Sequence, residues 1–280
     1  MRKTSLIAVA VAMTASAPAF AQDGQSEYFD GFYIGGTISA DQPEDSNTDG
    51  IVFDTNGDGV FNDTVRSTTG ADAFSPGFCN GAAVGATAGQ GCVDDEADFG
   101  YSARIGYDQR LNGGPIVVGL LVEGARSEAT EFSNGFSTTP ASYTVVRQMD
   151  WSVNARGRVG YSPGDGRGLF YVTGGVGYAK IDHGFVTTNG ANAFTQQNDD
   201  DWQFGAQVGG GAELMLTRNI GIGLEYLYSD YNDDDYSVLV TQGTAPATNP
   251  FLLDSGQTSI APTDRNLRMH SLRATASFHF

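Results

Sequence analysis

The chain has 280 residues, 38 of them glycine, and carries 15 basic against 33 acidic side chains for a formal net charge of −18. That balance repels phosphate backbones and excludes nucleic acid as a partner, while the glycine content argues against a helix-rich fold. No stretch after the N-terminus approaches the roughly 18 consecutive apolar residues of a membrane helix, which excludes a helical membrane protein.

In chain order, the first element is a secretory signal. Arg2 and Lys3 form its charged start, Leu6 to Ala12 its apolar run, and Ala19-Phe20-Ala21 its small-x-small cleavage site, so the mature chain is expected from Gln22. The stretch "GFYIGGTISA" then reads as a first strand. Residues 41–97 form a long acidic segment containing "DTNGDGVFND".

In a calcium-loop frame Asp54, Asn56 and Asp58 take positions 1, 3 and 5, Gly59 the turn, Val60 the carbonyl at 7 and Asn62 position 9. Position 12 is Val65, so the usual bidentate Glu is missing and Asp63, or Asp49 upstream, is the substitute; Ca2+ is the expected ligand, held at modest affinity. The spacing is similar to the D-x-N-x-D-G repeats of dockerin and thrombospondin type 3 modules. Cys79 and Cys92, 13 positions apart in an exported chain, predict one disulfide that contributes roughly 3 kcal/mol in the chain-entropy model.

From Phe99 onward the dominant signal is period two. "DFGYSARIGYDQ" sets Phe99, Tyr101, Ala103, Ile105 and Tyr107 against Gly100, Ser102, Arg104, Gly106 and Asp108. The pattern returns in "PIVVGLLVEG", "MDWSVNARGRVGY", "LFYVTGGVGYAKI", "DWQFGAQVGGGAELML", "IGIGLEYLYS" and "HSLRATASFHF", which makes eight strands with the first. Tight turns at 110–114, 162–168 and 217–219 alternate with long polar segments at 41–97, 127–147, 182–200 and 231–265. An even strand count with short and long connections in alternation predicts an all-β, eight-stranded antiparallel transmembrane up-and-down barrel, short turns in the periplasm and four loops outside.

One parity is apolar and the other is mostly glycine with isolated charges, lacking the dense Lys, Glu and Thr of a solvated face. The apolar parity is therefore assigned to lipid and the sparse one to a narrow filled interior. Tyr107, Trp151, Tyr161, Tyr178, Trp202, Tyr226, Tyr228, Phe278 and Phe280 fall toward strand ends on the apolar parity, where aromatic girdles belong.

On "YFDGFYIGG", "LFYVTGGVGYAKID", "GGGAELMLTRNIGIGLEYLYSDY" and the terminal "SLRATASFHF", the chain resembles the small eight-stranded outer-membrane barrels of the OmpA, OmpX and opacity-porin type from Gram-negative bacteria. The resemblance implies residence in the outer membrane among lipid and lipopolysaccharide, no enzymatic activity, and a C-terminal Phe280 read by the barrel-assembly machinery. The first loop is far longer than in simple members.

Three constellations carry candidate chemistry. Arg104, Glu123, Arg156, Arg158, Glu213, Glu225 and Arg273 all lie on the inward parity a few residues from the periplasmic side. Charges in a low-dielectric lumen must pair, so these predict a brace of four arginines facing three glutamates. The histidines, His183, His270 and His279, show no parity that joins Ser, His and acid, which argues against catalysis. The glycine runs "GGVG" and "GGG" lack a following Lys-Ser/Thr and read as inward positions without side chains. The expected function is that of a monomeric envelope-stabilising and surface-interacting barrel with a calcium-ordered acidic loop; a narrow porin and an adhesin are the alternatives.

Overall fold

In the computed structural model, which describes residues 28–44 and 50–280, eight strands follow one another around a ring. They are β1 (Gly31–Pro43), β2 (Asp98–Arg110), β3 (Ile116–Ser127), β4 (Ala141–Tyr161), β5 (Gly168–Thr187), β6 (Asp200–Met215), β7 (Ile220–Asn232) and β8 (Asn266–His279). Each pairs antiparallel with its neighbour in sequence, and β8 pairs with β1 through Tyr33↔His279 to Pro43↔Met269. The ring closes between β8 and β1 with no edge strand left over, so the wall's ladder hydrogen bonds run between neighbouring strands. The signal-sequence segment and Asp49 lie outside the described residues.

The two parities go where the sequence assigns them except at Met149. That residue shares the apolar parity of Trp151 but is turned into the bore by a register shift opposite Lys180 and Ile181. Leu120, Phe204 and Val172 are 72%, 70% and 67% exposed on the outer wall, whereas Glu123, Arg156 and Glu225 are buried inside. That is the inverse of a water-soluble barrel and fits a wall bathed in hydrocarbon. Tyr107, Trp151, Tyr161, Tyr178, Trp202, Tyr226 and Phe280 are all exposed, and Tyr178 stacks on Trp202 at 5.1 Å.

Inward glycines make room for tyrosines. A Cβ at Gly211 would come within 2.9 Å of the Tyr171 ring, and one at Gly177 within 2.9 Å of the Tyr231 ring. Only alternate members of the two glycine runs face the lumen, since strand geometry turns Gly174 and Gly210 outward.

The long connections depart from the expectation of polar loops. The strands at Ala193–Gln197, Ser237–Thr241, Thr258–Pro262 and Ile51–Asp54 form a second antiparallel sheet. It faces the outer halves of β4 and β5 and the added strand Thr130–Ser137, which pairs with β4. Between the sheets lies a core of Ile51, Phe53, Val65, Phe74, Tyr143, Val145, Val238, Val240, Phe251 and Ile260. Short apolar alternations such as "SVLVT" and "TSIAP" are too brief to stand alone, and they become strands because four loops supply each other's faces. The result is a folded cap at the end of the barrel that carries the long connections.

Candidate functional site

The lumen is a stack of layers. At the end that carries the short turns Phe29, Val117, Leu169, Tyr171 and Met215 form an apolar floor. Above it Arg158 grips Asp108 through two nitrogens and donates to Glu213 at 3.1 Å. Asp108 is the carboxylate that the sequence reading missed, although it sits on the same parity as Arg104; it brings the count to four arginines and four carboxylates.

The next layer is centred on Glu225, which accepts from Arg156 at 3.0 Å, Arg273 at 3.0 Å and the Tyr171 hydroxyl at 2.9 Å. Arg156 and Arg273 also reach Glu123, at 3.2 and 2.7 Å, so two cations and two anions form a closed four-membered ring of contacts. Arg104 is the loose member: it donates no hydrogen bond among the described residues, and its nearest carboxylate oxygen, on Glu225, is 3.7 Å away. All seven charges singled out from the sequence therefore meet in two adjacent layers.

Outward of these, Asn154, Gln207, Ser229 and the Tyr231 hydroxyl form a neutral hydrogen-bonded tier. A gap of about 30 Å³ between Asp41, Arg273 and Met269 has room for a water or two. Met149, Ala179, Ile181, Tyr231, Leu267 and Met269 then close the bore with a second apolar layer.

Where the barrel joins the cap, buried Arg147 ion-pairs with Glu131 and with Asp233, the latter at 3.3 Å. His183 reaches Asp233 at 2.9 Å and stacks on Tyr236 at 4.1 Å. This cluster was not foreseen because Glu131 and Asp233 lie in segments that read as solvated loops. Burial pushes the Tyr236 phenol upward, so the ring under His183 stays neutral.

The histidine reading needs a correction. Ser277, His279 and Glu213 do come together inside the floor of the barrel, because Ser277 and His279 share the inward parity of β8. They do not form a relay. Ser277 donates to Glu213 itself, and the same His279 nitrogen, Nε2, faces both Ser277 at 3.1 Å and Glu213 at 3.2 Å. A relay needs one ring nitrogen for the nucleophile and the other for the acid. His270 lies on the outer wall, 2.6 Å from the Tyr226 hydroxyl.

The expected calcium set lies on a tight turn whose acidic and amide side chains hold nearby backbone N–H groups. Asp54 accepts Gly57 N–H at 2.7 Å and Gly59 N–H at 2.9 Å, Asn56 accepts Asp58 N–H, and Asp58 accepts Val60 N–H. Asp63 turns back onto the Thr55 N–H and hydroxyl, at 2.9 and 3.2 Å, while Asn62 N–H closes on the Val60 carbonyl. The oxygens close local turns, and Val65 at the twelfth position is buried in the cap core. Among the described residues no group of three or more His, Cys, Asp or Glu is arranged to hold a metal. Cys79 and Cys92 form the expected disulfide.

A closed antiparallel barrel, apolar outside and ion-paired within, defines a membrane-spanning barrel protein. The family model described as outer membrane protein beta-barrel domain matches residues 7–244. The chain belongs to that family and is an outer-membrane protein. A 22 kDa outer membrane protein of Rhizobium leguminosarum bv. viciae is 27% identical over 144 residues, 51% of this chain and 59% of that protein. The 31 kDa outer-membrane immunogenic protein of Brucella melitensis biotype 1 is 30% identical over 133 residues, 47% of this chain and 53% of that protein. The matched region thus spans little more than half the length of these curated relatives.

Among solved structures, the outer membrane protein OprG of Pseudomonas aeruginosa aligns at a TM-score of 0.49 and 13% identity, covering 92% of this chain and 100% of that one. Neisserial surface protein A aligns at 0.35 and 11% identity, covering 89% and 97%.

Proposed function

We propose that the protein is a non-conducting, non-catalytic barrel that stabilises the outer membrane and holds its folded cap outside as a surface for interaction. The observation that carries this reading is the filled bore, in which two layers of paired charge lie between an apolar floor and an apolar ceiling. An ion entering the stack would have to separate buried pairs, and breaking such a pair costs about 3–5 kcal/mol. Eight strands leave only enough width for side chains, whereas water-filled pores need about sixteen.

In planar bilayers the purified protein is expected to give no regular openings, and frequent openings of nanosiemens size would replace this reading with the narrow porin. The word "immunogenic" in the name of the Brucella relative fits a part that faces outward. Lipid and lipopolysaccharide are the proposed neighbours, with assembly by the barrel machinery and a monomeric state. Calcium at Asp54 to Asp63 is proposed on ligand spacing alone, with a Kd of about 10⁻⁴ to 10⁻³ M. Calorimetric titration of the whole protein tests it, and no heat at millimolar calcium removes calcium from the proposed function.

A further inference from the structure

We propose that the cap holds a binding site for a small uncharged molecule with an apolar, single-ring body and one hydrogen-bond acceptor. A cavity of about 260 Å³ opens in the cap where the four extracellular connections meet. Its inner wall is buried and its mouth, at Thr138, Thr139 and Gly190, is exposed to the outside. Ligand sites are typically about 300–1,000 Å³, so this one suits a molecule at the small end.

Three rings shape the inner wall. Phe74 of the first loop, Tyr143 of β4 and Phe251 of the fourth loop pack mutually, with centroids 5.2, 5.6 and 5.8 Å apart. No Asp, Glu, Lys or Arg lines the cavity, in a chain of net charge −18. The nearby surface cleft at Thr55 is lined by Asp63, Arg66 and Asp254. A charged ligand would be desolvated in the first site with no partner, which selects against it.

The polar groups around the cavity narrow the class further. Asn189 donates to the Tyr143 hydroxyl and to Asn192, each at 3.0 Å, and its carbonyl oxygen accepts from Ala191 and Asn192 N–H. Asn249 accepts Phe251 N–H and donates to Asn192. These amides tie loops together and leave little for a polyhydroxylated ligand.

The Tyr143 hydroxyl is different. It accepts from Asn189, and the Ser137 hydroxyl is 3.4 Å away, long for an O–H···O bond. Burial pushes this phenol up, so it keeps its proton. The Ser137 hydroxyl gives its own proton to the Thr139 carbonyl at 2.6 Å. The Tyr143 O–H therefore has only the long contact to Ser137 Oγ and can exchange it for a better-placed acceptor on a ligand.

Acetophenone, a neutral ring with one carbonyl, is the probe; benzoate is the charged control of similar size. With the full chain in micelles, methyl NMR should show saturable shifts at Val65, Ala73 and Ala141 on adding acetophenone. Tyr143→Phe should weaken binding about threefold to tenfold, the loss of one net hydrogen bond. Ala73→Leu, which fills the cavity, and Thr139→Trp, which blocks its mouth without touching the core, should each weaken it at least about tenfold, as expected when a ligand loses its pocket. Unsaturating shifts shared with methyls of the barrel wall would show partition into the micelle only and overturn the proposal. So would binding retained in Thr139→Trp, or benzoate binding as well as acetophenone. None of these outcomes depends on whether the lumen conducts, so this site and the non-conducting reading stand or fall separately.

Discussion

Glu225→Ala is expected to lower the stability of the folded barrel by about 3–5 kcal/mol, the cost of removing one partner from a buried ion network. Glu225 is 1% exposed and accepts from Arg156, Arg273 and Tyr171 while also facing Arg104. Its loss leaves Glu123 as the remaining carboxylate of that layer against three guanidiniums. Equilibrium unfolding in urea, read from the electrophoretic shift between folded and unfolded barrel, gives the number. Two companions sharpen the result. Glu225→Gln keeps the acceptor oxygen and should fall between wild type and Glu225→Ala. Arg104→Met should lose less than half as much as Glu225→Ala, since Arg104 donates no hydrogen bond among the described residues and sits at a longer distance. A loss below about 1 kcal/mol in Glu225→Ala, within the range of an exposed pair, would mean that water reaches the network and that the bore is open.

Phe74→Ala is expected to unfold the cap while leaving the barrel intact. Phe74 is 3% exposed and its ring meets Phe53 at 4.4 Å, Tyr143 at 5.2 Å, Phe251 at 5.8 Å and Phe78 at 6.3 Å. Truncating a buried Phe costs about 3–5 kcal/mol. A loss of that size raises the population of the open cap by about a hundredfold or more, and protease cleavage between residues 50 and 97 should accelerate accordingly. The electrophoretic shift of the barrel should stay as in wild type, because the ring of eight strands closes without any residue of the cap sheet. Joint loss of cap and barrel would show that they fold as one unit.

The barrel was legible because its signal is local and repeated. Alternation in "MDWSVNARGRVGY" assigns Trp151 and Val153 to one face and Asn154 and Arg156 to the other, and the structure places them so. The layer of Glu123, Arg156, Glu225 and Arg273 followed from counting residues inward from the turns, because strand rise is nearly constant. Asp108 was overlooked because it lies only two residues from the turn at Arg110, although it shares the parity of Arg104. The cap was not legible: Phe53, Phe74, Tyr143, Val238 and Ile260 are scattered over more than two hundred positions, with no period long enough to announce a core. The calcium frame reads two ways for a related reason, since alternate acidic and amide side chains serve a metal or their own backbone equally well.

What the sequence determined by itself is the barrel: strand number, which parity meets lipid, and the charges that fill the bore, all read from a period of two that tertiary contacts need only close into a ring. What only the tertiary structure decided is everything built from distant segments. It turned four loops into one cap and folded Asp63 back onto the Thr55 N–H and hydroxyl. It also brought Ser277, His279 and Glu213 together without a relay, and left a neutral cavity beside Tyr143. Such contacts depend on how separate chain segments meet in space, and a one-dimensional pattern carries no information about that meeting.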